Sequence, residues 1–182
     1  MRKMTVTVYS FAELSDDAKD RALNAFRDID VEFNWYEDTF GTIRAAGELL
    51  GLEIGDIHFE TDLYCIFDAH YRYVRGAVKA VRNEFPRATD LHEVARDLQA
   101  LQRRYFYSLS CAITKGRSMN RYECFRFGED YECSDLGDII DDFAYWARIL
   151  LRDEYEYLTS DEAAQEAIEA NEYEFDEAGK LV

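Results

Sequence analysis

Asp138, Asp141 and Asp142 stand three and four residues apart, a spacing that puts three carboxylates on one face of a helix. Such a group has two chemical uses. It can chelate a divalent cation such as Mg²⁺, or it can present fixed negative charge to a basic partner. His58 and His70, with Asp56, Glu60 and Asp68 around them, form a second metal-type constellation on the charged face of a hairpin. The four cysteines, Cys65, Cys111, Cys124 and Cys133, lie 46, 13 and 9 residues apart. None forms a C-x-x-C pair, so they read as buried thiols rather than zinc ligands. No G-x-S-x-G, P-loop or G-x-G-x-x-G motif is present. Helical acids at this spacing are common without metal, so the expectation is a binding protein, not an enzyme, with no metal and no cofactor; the further alternative is a metal-dependent hydrolase using Asp138, Asp141 and Asp142 or the two hairpin histidines.

The charge is unevenly placed. From Glu129 to Val182 there are eighteen Asp/Glu against Arg148, Arg152 and Lys180, so −15 of the formal −17 falls there. The same stretch carries Tyr131, Phe143, Tyr145, Trp146, Tyr155, Tyr157, Tyr173 and Phe175, too many aromatics for a disordered acidic tail. A solvated face that keeps a small protein apart from its neighbours would explain some of this charge. Asp153, Glu154 and Glu156, however, sit at the end of their helix, where the dipole disfavours anions, and folding alone gives no reason for them. Duplex DNA presents one charge per roughly 1.7 Å of axis, and helical carboxylates four residues apart stand about 6 Å apart. The expected partner-binding residues are therefore Asp138, Asp141, Asp142, Tyr145, Asp153, Glu154, Glu156, Asp161, Glu162, Glu166 and Glu169, presented as a partial imitation of DNA. Arg72 to Arg126 has the opposite bias, twelve bases against five acids. It could stack and bind nucleic acid through Tyr105, Tyr107 and Tyr122, but the overall acidity opposes this. Pairing with the acidic third, within a chain or between two copies, is the simpler reading.

The elements that must position these residues follow from periodicity. Thr5 to Tyr9 alternates as a first strand. Ser15 caps a helix with Ala18, Ala22, Ala25, Phe26 and Ile29 inward, and Asn34 opens another, with Gly47 on its buried stripe and Gly51 as its cap. Residues 56–60 and 67–73 form one hairpin, and 107–114 with 122–127 a second, joined through a turn at Lys115–Asn120. Between them lie a short helix ended by Pro86 and a helix capped by Thr89 with Leu91, Val94, Leu98, Leu101 and Tyr105 on one seam. A long helix from Asp135 to about Tyr157 should bury Ile139, Phe143, Ala147 and Leu150. A capping box at Thr159–Glu162 opens a last helix, and Tyr173–Phe175 returns at Leu181–Val182 around Gly179. The expectation is α+β: an antiparallel sheet of two hairpins plus the N-terminal strand, packed with five or six helices. The 182 residues suit one domain, whose acidic helical third is at about 129–182. No secretory signal or long apolar run is visible, so a cytoplasmic setting is expected.

The stretches FAELSDDAKDRA, GLEIGDIHF, YRYVRGAVKAV, LQALQRRYFYSLS and EYEYLTSDEAAQEAIEANEYEFDEAGK span nearly the whole chain. In them the chain resembles a group of acidic bacteriophage and prophage proteins of antitoxin-like type. The resemblance implies a phage-encoded inhibitor acting in a bacterial host, of the anti-restriction or anti-CRISPR kind, or an antitoxin for a basic toxin. It implies a host protein with a basic nucleic-acid-binding surface as partner, without direct nucleic-acid or membrane binding.

Overall fold

Leu52 and Ile54 are even-numbered and Ile57 and Phe59 odd, so a regular pleat would turn one pair to water. The computed structural model, which describes residues 7–31, 34–115, 122–126 and 133–182, resolves the conflict with a bulge. In the strand Leu52–Glu60, Ile54 opposes Ala69 but Ile57 opposes Phe67, leaving Gly55 and Asp56 together against Asp68. Two residues against one switch the parity, and Leu52, Ile57, Cys65, Phe67 and Tyr71 are all buried.

In chain order the elements are β1 (Tyr9–Ser10), α1 (Asp16–Phe26), α2 (Glu37–Leu50), β2 (Leu52–Glu60), β3 (Tyr64–Arg72), α3 (Ala77–Glu84), α4 (Thr89–Arg104), β4 (Ser110–Lys115), β5 (Tyr122–Arg126), α5 (Ser134–Leu158), α6 (Asp161–Ala170) and β6 (Glu174–Phe175). The described residues are thus α+β, with two antiparallel sheets of order β1-β6 and β2-β3-β4-β5 and a helical C-terminal part. They divide into two compact units, one of Met1–Trp35 with Asp153–Val182 and one of Tyr36–Arg152. The acidic third is therefore shared between units. None of the described helices is long and apolar enough to cross a membrane.

In the second unit the two hairpins make the four-stranded sheet, as their alternation requires. β3 meets β4 from Ala69↔Ile113 to Arg72↔Ser110, and β4 meets β5 from Cys111↔Arg126 to Lys115↔Tyr122. Beyond the first ladder the N–H of Phe67 donates to Tyr122 Oη at 3.1 Å, which satisfies a donor that could not be left bare in the interior. Helix α2 packs on β2 and α3 on α4. A Cβ at Gly47 would come within 2.6 Å of Ile54 Cδ1 and 3.1 Å of Leu52 O, which is the close approach its place on the stripe implied. Gly51 closes α2 at φ 88°. Asn34, expected as the cap of α2, instead sits at φ 44°, and α2 begins after Tyr36. The Tyr36 ring packs on Phe40 and Phe59, at 4.9 and 5.2 Å, so aromatic packing sets this helix start. Likewise Ala88, not Thr89, caps α4. Its seam buries Leu91, Val94, Leu98 and Leu101 and also Gln102. The Gln102 amide donates to Leu109 O at 2.8 Å and accepts from Leu109 N at 3.2 Å, fixing the entry to β4.

The first unit is built on small residues. Ala18 and Ala22 of α1 let that helix approach Ala164 and Ile168 of α6, with Phe11, Leu14, Phe26 and Phe175 completing the core. Phe175 lies 6.5 Å from Phe11 and 5.9 Å from Phe26, both edge to face. Ala25, expected inward, is exposed. The N-terminal strand, expected in the main sheet, pairs instead with the last one, Tyr9 with Phe175 and Ser10 with Glu174. The apolar residues that follow it, Phe11 and Leu14, belong to this core, and the strand goes with them. Thr5 and Val6 lie outside the described residues, as does the turn after Lys115. Phe175 also bridges to Leu181, the expected return around Gly179.

Candidate functional site

Helix α5 buries Leu136, Ile140, Phe143, Ala147 and Leu151. Ile140 and Leu151 take the places expected of Ile139 and Leu150, one residue earlier in each case, which are left half-buried. The rotation still leaves Asp138, Asp142 and Tyr145 on the solvent side. Asp141 is partly taken up by the fold. Lys115 Nζ donates to its Oδ1 at 3.0 Å while lying 4.0 Å over the Tyr122 ring, with only 15% of the lysine side chain exposed. Arg104 meets Asp135 at 2.8 Å. Basic segment and acidic third thus pair inside this unit. Tyr122 is buried and cannot stack on a base, and Arg117 and Arg121 lie outside the described residues.

Asp142 shows what this packing costs. Partial burial, then the carboxylates of Asp97, Asp141, Asp138 and Glu93, hold its carboxyl above the usual range. Glu93 and Asp97 belong to α4, so two helices contribute acids here. Periodicity within one helix could not have found the α4 pair. Tyr145 is 54% exposed. The Arg148 guanidinium lies 5.1 Å from its ring centroid and donates to Asp62 O at 3.1 Å, tying the β2–β3 turn to α5.

The first unit holds the remaining acids. Ser160, not Thr159, caps α6, its Oγ accepting from Ala163 N at 3.2 Å. Thr159 Oγ1 donates back to Tyr155 O at 2.8 Å and closes α5. This turn brings the end of α5 against α6. Tyr157 Oη donates to Glu166 Oε2 at 3.3 Å. Glu166 first, then partial desolvation and the charges of Glu162 and Glu154, raise the phenol above its ordinary range, and the ring is 48% exposed. Tyr157 was not among the expected contact residues, because helix spacing alone does not carry a contact across a turn. Asp161 is bonded to Arg27 at 2.6 Å and serves the fold, while Gln165 donates to Glu169 at 2.7 Å. Asp153 and Glu156 also interact within the chain.

The metal-type constellations do not assemble among the described residues. His58 opposes Ile66 while His70 opposes Glu53, four residues further along β3, or about 13 Å at ~3.3 Å per residue. His70 Nε2 lies 3.4 Å from Ser110 Oγ. Among the described residues no group of three His, Cys, Asp or Glu could hold a metal ion. The cysteines are buried thiols, and burial pushes Cys65 up to about 12, away from the thiolate that reactivity needs.

A family model described as a domain of unknown function (DUF8835) matches residues 64–161, more than half of the chain, and the chain belongs to that family. No curated protein and no solved structure matches it.

Proposed function

We propose that this member of the DUF8835 family is an inhibitor by binding: its acidic C-terminal third docks on a partner's basic, nucleic-acid-binding surface and competes with the nucleic acid there. The observation that carries the reading is the half-exposed Tyr157, bonded to Glu166 across the turn between α5 and the Ser160-capped α6 and lying in the negative field of Glu162 and Glu154. Fixed carboxylates offer a Lys- and Arg-lined groove the counterion-linked attraction it has for phosphates. A half-exposed tyrosine adds the apolar anchor that interfaces depend on. Glu169 in the first unit, and separately Asp138, Asp142 and Tyr145 in the second, offer the same chemistry, each within its own unit. The reading contains no catalytic step. The partner class that suits it is a host defence protein that grips DNA or RNA, the setting implied by the resemblance to phage proteins.

The test is capture of proteins from bacterial lysate on the immobilised chain, with elution at stepped salt. Each captured protein is then assayed for release by duplex DNA or RNA. The expected result is a nucleic-acid-binding protein that salt elutes and that nucleic acid displaces. Capture indifferent to salt overturns the reading. A basic partner with no nucleic-acid site would replace it with neutralisation of a toxin.

A further inference from the structure

In the second unit, Phe106 and Tyr107 follow one another in the left-handed region, at φ 51° and 62°. Bulky residues seldom take that conformation, because it strains the backbone. The turn is held there from several sides. Tyr107 N donates to Gln102 O at 2.7 Å, Ser108 Oγ donates to Tyr105 O at 2.6 Å, and the Gln102 amide grips Leu109. The Tyr107 ring rests 4.9 Å from that of Tyr73. The outcome of this bracing is a phenyl ring in water: Phe106 is 90% exposed. The stretch from Leu98 to Tyr122 contains no acid, and Arg103 and Arg104 stand just before the ring.

The first unit carries the complementary feature. An open groove of about 430 Å³ has Phe11, Ile168 and Tyr173 in its floor and Glu169, Glu172 and Glu174 along its edge. Glu13 and Val8 also line it, and no base is among its described lining residues. Glu172 is itself left-handed, at φ 52°, its N–H donating to Glu169 O at 3.2 Å where α6 ends. An apolar floor with an acidic rim suits an apolar side chain flanked by bases.

We propose that the chain self-associates by seating Phe106 of one copy in this groove of a second copy, with Arg103 and Arg104 of the first facing the second's glutamates. A second copy is the occupant because the contact joins an acid-free stretch to a base-free groove. At a net charge of −17, most other ways of bringing two copies together are repulsive. Arg104 keeps an exposed pair with Asp135, a surface interaction weak enough to be shared. Ring and groove are different surfaces, so the contact is heterologous, closing only if it is made twice or around a ring.

Sedimentation velocity of the full chain over a concentration series tests this, with Phe106→Asp and the double variant Glu169→Lys, Glu172→Lys alongside. The wild type should pass from monomer to dimer or larger as concentration rises. Both variants should associate at least about tenfold more weakly, as loss of an anchor residue does. Thermal melting at low concentration, followed by circular dichroism, should show Phe106→Asp folded and no less stable than the wild type, because its ring is already in water and aspartate tolerates the left-handed region better than phenylalanine. An equimolar mixture of the two variants, each keeping one intact half, should recover association. A wild type that stays monomeric throughout overturns the proposal, as does a Phe106→Asp chain that associates normally or a mixture that recovers nothing. Phe106→Asp leaves the carboxylates around Tyr157 in place, so its result bears on self-association alone.

Discussion

Tyr157 donates its phenolic hydrogen to Glu166 across 3.3 Å, from the last turn of α5 to the middle of α6. With the charges of Glu162 and Glu154 acting on the same phenol, the contact makes one surface from two helices. Glu162 and Glu166 are exposed, so changing them tests binding without disturbing the core. Glu162→Gln with Glu166→Gln should weaken a salt-sensitive partner. It should also flatten the plot of log affinity against log salt by roughly one unit per carboxylate removed. Fluorescence anisotropy at several salt concentrations measures this, and an unchanged slope would exclude these acids from the interface.

Asp142 should oppose folding at neutral pH. Its folded-state pKa is raised, so ionisation is harder in the folded chain than in the unfolded one. That penalty is absent below the carboxyl's ordinary range and sets in as pH rises through the folded-state pKa. Asp142→Asn should therefore stabilise the protein at pH 7 by less than about 1 kcal/mol, the scale of a well-solvated charge. Urea denaturation at pH 7 should show the gain and denaturation at pH 3 should not.

Gln102 is fully buried and satisfies both backbone groups of Leu109. Gln102→Leu keeps the volume but leaves a buried N–H and C=O without their partner. The expected loss is about 2–3 kcal/mol, read as a lower denaturation midpoint with an unchanged slope.

The buried phenols predict alkaline sensitivity. Burial raises Tyr71 to about 12 and Tyr122 above its usual range as well. An unfolded tyrosine ionises near 10, so the stability held by these groups is complete below pH 10 and is lost as pH rises through their folded-state values. For Tyr71 alone the window from 10 to about 12 corresponds to roughly 3 kcal/mol. Tyr71→Phe should reduce the pH dependence of unfolding in that window, followed by circular dichroism alongside phenolate absorbance.

Much of the frame was legible in the sequence because it is local. The seam Leu91, Val94, Leu98 and Leu101, the cap at Gly51 and the alternation of both hairpins each follow from a few neighbouring residues. Gln102 was hidden because a polar side chain on a helix reads as surface until its partner, Leu109, is in place. The pairing of Tyr9 with Phe175 joins the two ends of the chain, and no period reports it. Spacing selects Ile139 and Leu150 where the fold buries Ile140 and Leu151, because α5 is apolar on more than one side and a small rotation satisfies either choice. The acids were legible as a count. Their division into Asp161 for the fold and Glu162 and Glu166 for the surface depends on Arg27 and Tyr157, which lie elsewhere in the chain or across a turn.

Among the described residues β2 and β5 are the outer strands of the four-stranded sheet, and an outer strand turns a row of backbone groups toward any extended chain that meets it. The two-for-one step at Gly55 and Asp56 breaks the regular spacing of those groups on β2. A foreign strand could match the row on one side of the step but not through it. The irregularity that brings Leu52 and Ile57 to one face thus also makes β2 a poor template for amyloid-like growth.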